Sequence, residues 1–356
     1  MKLTNNMSSP IISFDDVILI PQYSELRSRS KIDTSISLIN RNNNKEIKLS
    51  IPIISSPMST ITEAHMCNCM RSLGAMGIIH RYNTIEFQSK LLSYISDTNF
   101  KAASVGVSGD FKERLSALVN SGLKIVCLDV AHGDHILVRE AIEFIKENYP
   151  DLFIIAGNVA TGEAYARLSG WGAHAVRTSV GSGSICTTRI QTGHGVPTLN
   201  AIINCKKAKD DILYEGGNPA YIIADGGIKN SGDIVKSLAA GADLVMLGSM
   251  LSGTREAPGK VMINSEGQKI KRYNGMASKT AQKNWKGSYS SVEGVSTTVK
   301  YKGTTTKVIN EIMSNVRSGM SYSGALSLEE LREKAVMAIQ TNNTNLEGNP
   351  HIFNRK

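Results

Sequence analysis

One cysteine of this chain sits where a thiol could act as a nucleophile. Cys186 lies in the run GSGSICTTR, positions 181–189, with Thr187, Thr188 and Arg189 beside it. A nearby cation and exposed backbone amides favour the thiolate, which is the reactive form. The competing reading, a buried structural thiol, suits Cys127 inside the apolar run IVCLD. It suits Cys186 poorly, because a glycine- and serine-rich stretch does not read as core. The carbonyl oxygens of the same run could bind a monovalent cation. Two further glycine clusters, Asp225-Gly226-Gly227 and Gly248-Ser249, could cradle a phosphate, since glycine admits an oxygen close to the backbone and free N–H groups donate to it. Glycine turns are common, so neither cluster says much alone; two at successive strand ends point to an anion site. His80, His132, Asp129, Arg81 and Asn158 follow other apolar runs. No set of His, Cys, Asp and Glu has metal-ligand spacing, so the histidines read as hydrogen-bonded groups lining a site. Asp129 ends an apolar run, where an unpaired carboxylate would be costly. It must pair with a backbone group or cation, or touch a ligand.

The scaffold for these residues is legible as alternation. Short apolar runs at 51–55, 77–80, 102–107, 124–129, 152–157, 174–178, 221–225 and 243–248 are each bounded by Gly, Asp or Ser, as suits strands buried on both faces. Stretches with helical periodicity lie between most of them, for example 63–73, 111–120, 135–148 and 231–240. Eight strands alternating with helices give the count of an α/β, (β/α)8 TIM barrel, with an open doubly wound sheet as competitor. No GxGxxG follows the first run, which removes the usual cue for that competitor. In such a barrel the site lies at the C-terminal ends of the strands. That rule selects Ser56 and Met58, His80 and Arg81, Asp129 and His132, Asn158, the 181–189 loop, Asp225 to Gly227, and Gly248-Ser249. Two segments break the rhythm. One runs from 181 to about 211 after the sixth strand and reads as a functional loop. The other, about 252–303, is rich in Gly, Ser, Thr and Lys and reads as a flap with little helical pattern. The Asn-rich stretch of about 341–356 reads as a tail that packs on another element or subunit.

Length and charge bound the partners. At 356 residues with 41% apolar and 20% charged residues, the composition is globular. No apolar run reaches the ~20 residues of a membrane span, and the first ten residues, MKLTNNMSSP, lack a signal peptide's apolar segment. Five scattered cysteines argue against a disulfide framework. The expectation is a cytoplasmic protein that engages no membrane. Net charge is +9, but Lys and Arg are dispersed and aromatics are only 6%, too few for a base-stacking platform. A phosphorylated small molecule fits better than a nucleic acid.

Longer stretches now carry a resemblance. FDDVILIPQYSELRSRS, IPIISSPMSTITEA, GIIHRY, LDVAHGD, AGNVATGE, GSGSICTTR, IADGGIKNSGDIVKSLAAGADLVMLGSML, YNGMAS and YKGTTT occur in order along the chain. Over almost its whole length the chain resembles the inosine-monophosphate dehydrogenase and guanosine-monophosphate reductase family. The resemblance implies a single barrel domain over 1–356 in which Cys186 attacks C2 of a purine nucleoside 5′-monophosphate, and hydride passes between C2 and a nicotinamide. It implies phosphate contacts from Ser184, Gly227, Gly248 and Ser249, with Gly226 beside them. Asp225 is the expected ribose contact, and Met276, Ala277 and Ser278 the segment holding the base, with Ser56 and Met58 also facing the substrate. Asp129, Val130, Ala131, Asn158, Val180 and Gly181 are expected along the cofactor. Ser28, Arg29 and Arg81 are candidates for its 2′-phosphate, by resemblance and by charge. Carbonyls of Gly181, Gly183 and Cys186 are implied potassium ligands, and a homotetramer is implied.

Two branches of the family differ in how the covalent intermediate is resolved. The dehydrogenase branch oxidises IMP with NAD+ and hydrolyses the intermediate with an Arg-Tyr pair in a long flap. The flap here, GMASKTAQKNWKGSYSSVEGVSTTVKYKG, has no such pair and is of reductase length. The CBS regulatory domains that most dehydrogenases insert after strand two are absent, since GIIHRYNTIEF runs directly on. NVATGE and Thr192-Gly193 also resemble the reductase, whereas PMSTITEA, GIIHR, GTREAPG and EGNPH resemble the dehydrogenase. Ser59 replaces an aspartate usual in both branches, and Ser290 stands where the reductase usually has arginine. A reductase must protonate departing ammonia, and Thr188 with Glu293 match the pair that does so. The expectation is therefore an NADPH-dependent GMP reductase. Alternatives are an NAD+-dependent IMP dehydrogenase, a family member acting on a deoxy or modified purine nucleotide, or a silent nucleotide binder.

Overall fold

Period-two alternation in the apolar runs divides their side chains between two clusters. Ile54, Ile125, Cys127, Phe153, Ile155, Ala175, Ile223, Leu244 and Met246 share one. Their neighbours Ile53, Val126, Leu128, Ile154, Ala156, Val176, Ile222, Val245 and Leu247 belong to the other. Strands that are apolar on both faces need cover on both faces. In the computed structural model, which describes residues 10–348 and 350, they obtain it by closing into a barrel. The strands are Ile53–Ser55, Met76–Gly77, Ala102–Val105, Ile125–Asp129, Phe153–Val159, Ala175–Thr178, Tyr221–Asp225 and Leu244–Leu247. All pair in parallel, the eighth with the first through Val245 and Ile53. A bridge from Ile79 to Ala103 links the second to the third. The first cluster fills the interior and the second packs under the helices.

A helix follows each strand: Ala64–Ser72, Ile85–Ser93, Phe111–Asn120, Ile136–Asn148, Gly162–Trp171, Thr198–Tyr214, Ser231–Ala239 and Thr305–Tyr322. Side chains of Thr84, Thr161, Asn230 and Thr304 cap four of them at their N-termini. The open-sheet competitor is thus excluded. From Gly77 to Ile85 the chain passes directly from strand to helix, with no inserted domain.

Two expectations need correction. Only the first part of 181–211 is loop, with a short helix at Thr188–Thr192; Thr198–Tyr214 is the sixth barrel helix. Its buried residues Leu199, Ile202 and Cys205 are spaced three apart, but Asn and Lys between them mask the apolar stripe. The flap is also more regular than expected. Met262–Ile263, Lys269–Asn274 and Ser296–Lys300 form an antiparallel sheet, and Lys279–Lys286 is a helix. Its strands are largely polar and exposed, so they lack the apolar signal by which a strand is read. Lys271 pins the flap's base: it is buried and donates to the carbonyl of Thr254 at 3.0 Å and to that of Ala257.

A hairpin of Ile36–Ile39 and Glu46–Leu49 plugs the other mouth with fully buried Leu38 and Leu49. Val17–Ile20 pairs antiparallel with Val336–Ile339, which ties the two ends of the chain together. In the tail, Asn342–Glu347 is helical and 351–356 lie outside the described residues, as do 1–9. Among the described residues no helix is long and apolar enough to cross a membrane.

His174 links plug and barrel. Its Nδ1 accepts from Ile154 N–H at 2.9 Å and its Nε2 meets Asn40 Oδ1 at 3.0 Å. Burial, aided by Arg41 and Lys146, lowers its pKa to about 3. The unfolded chain takes up this proton near pH 6.5 and the folded chain does not. Stability should therefore fall as pH drops from about 6.5 toward 3, by at most about 1.4 kcal/mol per pH unit from this residue. Chemical denaturation at stepped pH checks this: His174→Asn should flatten the slope just below pH 6.5, and an unchanged slope would refute the assignment.

Candidate active site

The same alternation that builds the interior sets its top layer. Cys127 points inward, so Asp129 does too; Ala175 is followed inward by Arg177, and Ile223 by Asp225. The fourth, sixth and seventh strands thereby deliver an acid, a base and an acid to the top of the interior, with the fifth strand between the first two. Arg177 Nη1 donates to Asp129 Oδ1 at 2.7 Å, and its Nε and Nη2 donate to Asp225 Oδ2 at 3.1 and 2.8 Å. Asn158 Nδ2 adds a bond to the same oxygen at 2.9 Å. Gly157 permits this crowding, since a Cβ there would lie 2.6 Å from that of Arg177. Burial disfavours charge at this level, but Arg177 and Arg81 hold the Asp129 carboxyl below the ordinary carboxylate range. Burial likewise opposes charge on Arg177, and the paired aspartates outweigh it, so the guanidinium stays charged. Asp225 Oδ1 makes no hydrogen bond within the described residues and faces the cleft.

Above this layer opens a cleft of about 290 Å³. Cys186 lines it and is half-buried. Its thiol donates to Thr188 Oγ1 at 3.1 Å, and that hydroxyl donates to Glu293 Oε2 at 2.8 Å. Backbone pairing holds the three together: Thr187 N–H donates to Glu293 O at 2.8 Å, Glu293 N–H to Ala277 O at 3.2 Å, and Val295 N–H to Ile185 O at 3.0 Å. The flap thus forms a short ladder with the cysteine loop and brings in a carboxylate 105 residues downstream of the threonine.

A glycine- and serine-rich rim adjoins the cysteine loop. Gly226 and Gly227 have φ of +87° and +74°, the left-handed region that glycine tolerates, and they pack against Ser182 and Gly183. Ser184 Oγ lies 3.2 Å from Tyr273 OH, and a Cβ on Gly248 would stand 3.5 Å from the same hydroxyl. Ser249 completes the rim, its carbonyl accepting from Lys302 Nζ at 2.8 Å.

Most expected residues meet here. Ser56, Met58, Arg81, Asp129, Val130, Ala131, Asn158, Val180, Gly181, Gly183, Ser184, Cys186, Thr188, Asp225 to Gly227, Gly248, Ser249, Met276, Ala277 and Glu293 all line the cleft. Ser278 does not: it is buried beneath the flap, caps the helix Lys279–Lys286 through Ala281 N–H, and accepts from Ser296 Oγ at 3.0 Å. Ser28 and Arg29 lie on the outside of the barrel, where the Arg29 guanidinium sits 5.8 Å over the Tyr322 ring. Neither histidine lines the cleft; His80 is buried 3.5 Å from Glu63, and His132 is exposed. Arg189 turns from the thiol to Ser182 Oγ at 2.9 Å, so the cation expected beside Cys186 is replaced by a hydroxyl backed by a carboxylate. Sequence reading missed Arg177 and Tyr273. A charged residue inside the short buried run AVRT was the available signal for the first; nothing local marks the second.

The thiol of Cys127 lies 3.5 Å below Arg177, and burial pushes its pKa up to about 12. It stays a thiol, leaving Cys186 as the cysteine of the cleft. Among the described residues no cluster of His, Cys, Asp or Glu could hold a metal ion.

Fold and cleft define a (β/α)8-barrel protein with its site at the C-terminal ends of the strands. A family model described as IMP dehydrogenase / GMP reductase domain matches residues 11–351. The chain belongs to that family of oxidoreductases, which use nicotinamide cofactors. Relatives come from both branches. GMP reductase 1 of Mus musculus is 36% identical, covering 94% of this chain and 96% of its own length. Inosine-5′-monophosphate dehydrogenase of Nitrosopumilus maritimus is 31% identical, covering 96% and 98%. The crystal structure of a GMP reductase from Trypanosoma brucei in complex with guanosine 5′-monophosphate superposes with a TM-score of 0.87 at 27% identity, over 98% of this chain and 99% of that one.

Removing Arg177 leaves two part-buried carboxylates without their shared cation. Arg177→Met should cost about 3–5 kcal/mol of unfolding free energy, measured by chemical denaturation. A loss below about 1 kcal/mol would mean that the fork is not what holds this layer.

Proposed function

We propose that this chain is a GMP reductase, converting GMP and NADPH to IMP, ammonia and NADP+. The observation that carries the reading is the hydrogen-bonded series Cys186–Thr188–Glu293 inside the cleft. The 5′-phosphate would sit among Ser184, Gly227, Gly248, Ser249 and Tyr273, and the ribose hydroxyls would meet the free Oδ1 of Asp225. Met276 and Ala277 would hold the base, with Met276 Sδ fixed by Ser59 N–H at 3.3 Å.

Cys186 would lose its proton through Thr188 to Glu293 and attack C2. As the exocyclic amine leaves, the same pair would return a proton to it, so that ammonia departs and a thioimidate remains. The dinucleotide, when bound, supplies the hydride that reduces C2. Expulsion of the Cys186 thiolate then gives IMP. For the cofactor, the residues present fit. Val130, Ala131, Asn158, Val180 and Gly181 offer backbone and amide groups along one wall, and Arg81 spends only its Nε on the Asp129 carbonyl, at 3.1 Å. Its two outer nitrogens make no hydrogen bond within the described residues and are free for a phosphate. Ser28 and Arg29 lie outside the cleft of their own chain, so a 2′-phosphate would meet them only across a contact between chains. The preference for NADPH rests on the reductase-like flap. Potassium would take the carbonyls of Gly181, Gly183 and Cys186; the Gly183 carbonyl already accepts the Cys186 amide at 3.0 Å and keeps a second lone pair. We infer a homotetramer in the cytoplasm, in which the exposed Ile18, Ile20 and Val336, on one face of the terminal strand pair, offer a surface for contact between copies.

IMP dehydrogenase is the second reading, for a specific reason: a relay that gives a proton to ammonia could take one from water. Nicotinamide absorbance separates the two. It should fall with GMP and NADPH; a rise with IMP and NAD+ and no fall with GMP would reverse the choice. Cys186→Ala should abolish turnover. Glu293→Gln should slow it by about a hundredfold or more, with a smaller effect on KM for the nucleotide.

A further inference from the structure

The flap carries Glu293 to the cysteine loop, yet an eight-residue helix, Lys279–Lys286, makes up the flap's outer part. A helix that short is not stable alone and must be held by tertiary contacts. Its sequence, KTAQKNWK, is polar, with three lysines and one large apolar residue, Trp285. The Trp285 ring stacks on Tyr82 with centroids 4.3 Å apart and planes inclined by 18°. Tyr82 belongs to the barrel, at the end of the second strand's exit loop, and lines the cleft. The Arg81 guanidinium lies 5.2 Å from the Tyr82 ring centre and 5.5 Å from that of Trp285.

The inner side of the same helix grips the segment that bears the carboxylate. Gln282 Nε2 donates to Ala277 O at 3.1 Å, and Gln282 Oε1 accepts from Ser290 N–H at 3.1 Å. Ala277 O also accepts from Glu293 N–H at 3.2 Å. The barrel rim at Tyr82 is thus joined through Trp285 to the helix, and through that helix's Gln282 and then Ala277 to Glu293.

We propose that Trp285 is a positioning residue: its stack on Tyr82 latches the flap to the barrel so that Glu293 reaches Thr188 and Gly294 covers Cys186. Trp285 touches none of the reacting atoms and acts only through the flap. The kinetic part of this inference rests on the proposed GMP reductase reaction; the accessibility part does not.

The test uses the full-length protein and three variants, Trp285→Ala, Trp285→Phe and Tyr82→Ala, with folding checked by circular dichroism. Alkylation of each cysteine by iodoacetamide is followed by peptide mass spectrometry. Loss of the latch should speed modification of Cys186 by about tenfold in Trp285→Ala and in Tyr82→Ala. Cys69, half-exposed beside Thr306 at 3.6 Å, lies by the flap's base at Arg255 and Glu256 rather than by its outer helix, and should react at an unchanged rate. Trp285→Phe should restore most of the protection, because a phenyl ring can still stack. In turnover with saturating dinucleotide, Trp285→Ala should lower kcat by about tenfold with KM for the nucleotide nearly unchanged, and Phe should recover it. Cys186 protection that is the same in wild type and Trp285→Ala overturns the proposal, and so does equal acceleration at Cys69, which would signal general loosening. If wild type turns over neither GMP nor IMP while Cys186 alkylation responds as described, the latch stands and the reaction assignment fails.

Discussion

The site depends on a single guanidinium. Arg177 is buried where three strands end together, and it holds apart two carboxylates that could not otherwise share the top of a closed barrel. An unpaired charge in such a place is costly, and two of one sign are worse. With Arg177 present, one oxygen of Asp225 is committed to the protein and the other is left for a ligand. Arg81, 3.5 Å from the Asp129 carboxylate, supplies the second positive charge, so the floor of the cleft is balanced and oriented before any ligand arrives, which spares a ligand the cost of arranging it.

Above that floor stand parts contributed by different segments of the chain. Glycine turns follow the seventh and eighth strands, and the thiol sits in a loop after the sixth. The flap contributes Tyr273, Met276, Ala277 and Glu293, and Glu293 reaches Thr188 where the flap pairs with the cysteine loop.

How much of this could be read from the sequence follows from where each signal lives. Barrel strands are apolar on both faces and bounded by turn residues, so all eight were recognisable, and the helix Phe111–Asn120 to the residue. The polar flap sheet and the helix Thr198–Tyr214 were not, because exposure in one and interspersed Asn and Lys in the other erase periodicity. Cys186 and the glycine ends were legible, since chemistry and backbone freedom restrict residue type there. The Thr188–Glu293 pairing came only from family resemblance, as no local pattern joins residues so far apart in sequence. Arg177 was hidden for the opposite reason. It sits inside a strand at an inward position, and its partners lie on the next strand and on the next but one, so only register reveals it. The expectation of a cation beside the thiol failed because adjacency in sequence does not fix side-chain direction: Arg189 turns to Ser182.

The central claim is that the sulfur of Cys186 bonds covalently to a purine during turnover. Its most direct test is mass spectrometry of the protein quenched in acid while it consumes GMP and NADPH. The account predicts a nucleotide adduct on the peptide that carries Cys186 and on no other cysteine. Steady turnover with that peptide unmodified at every quench time would contradict it.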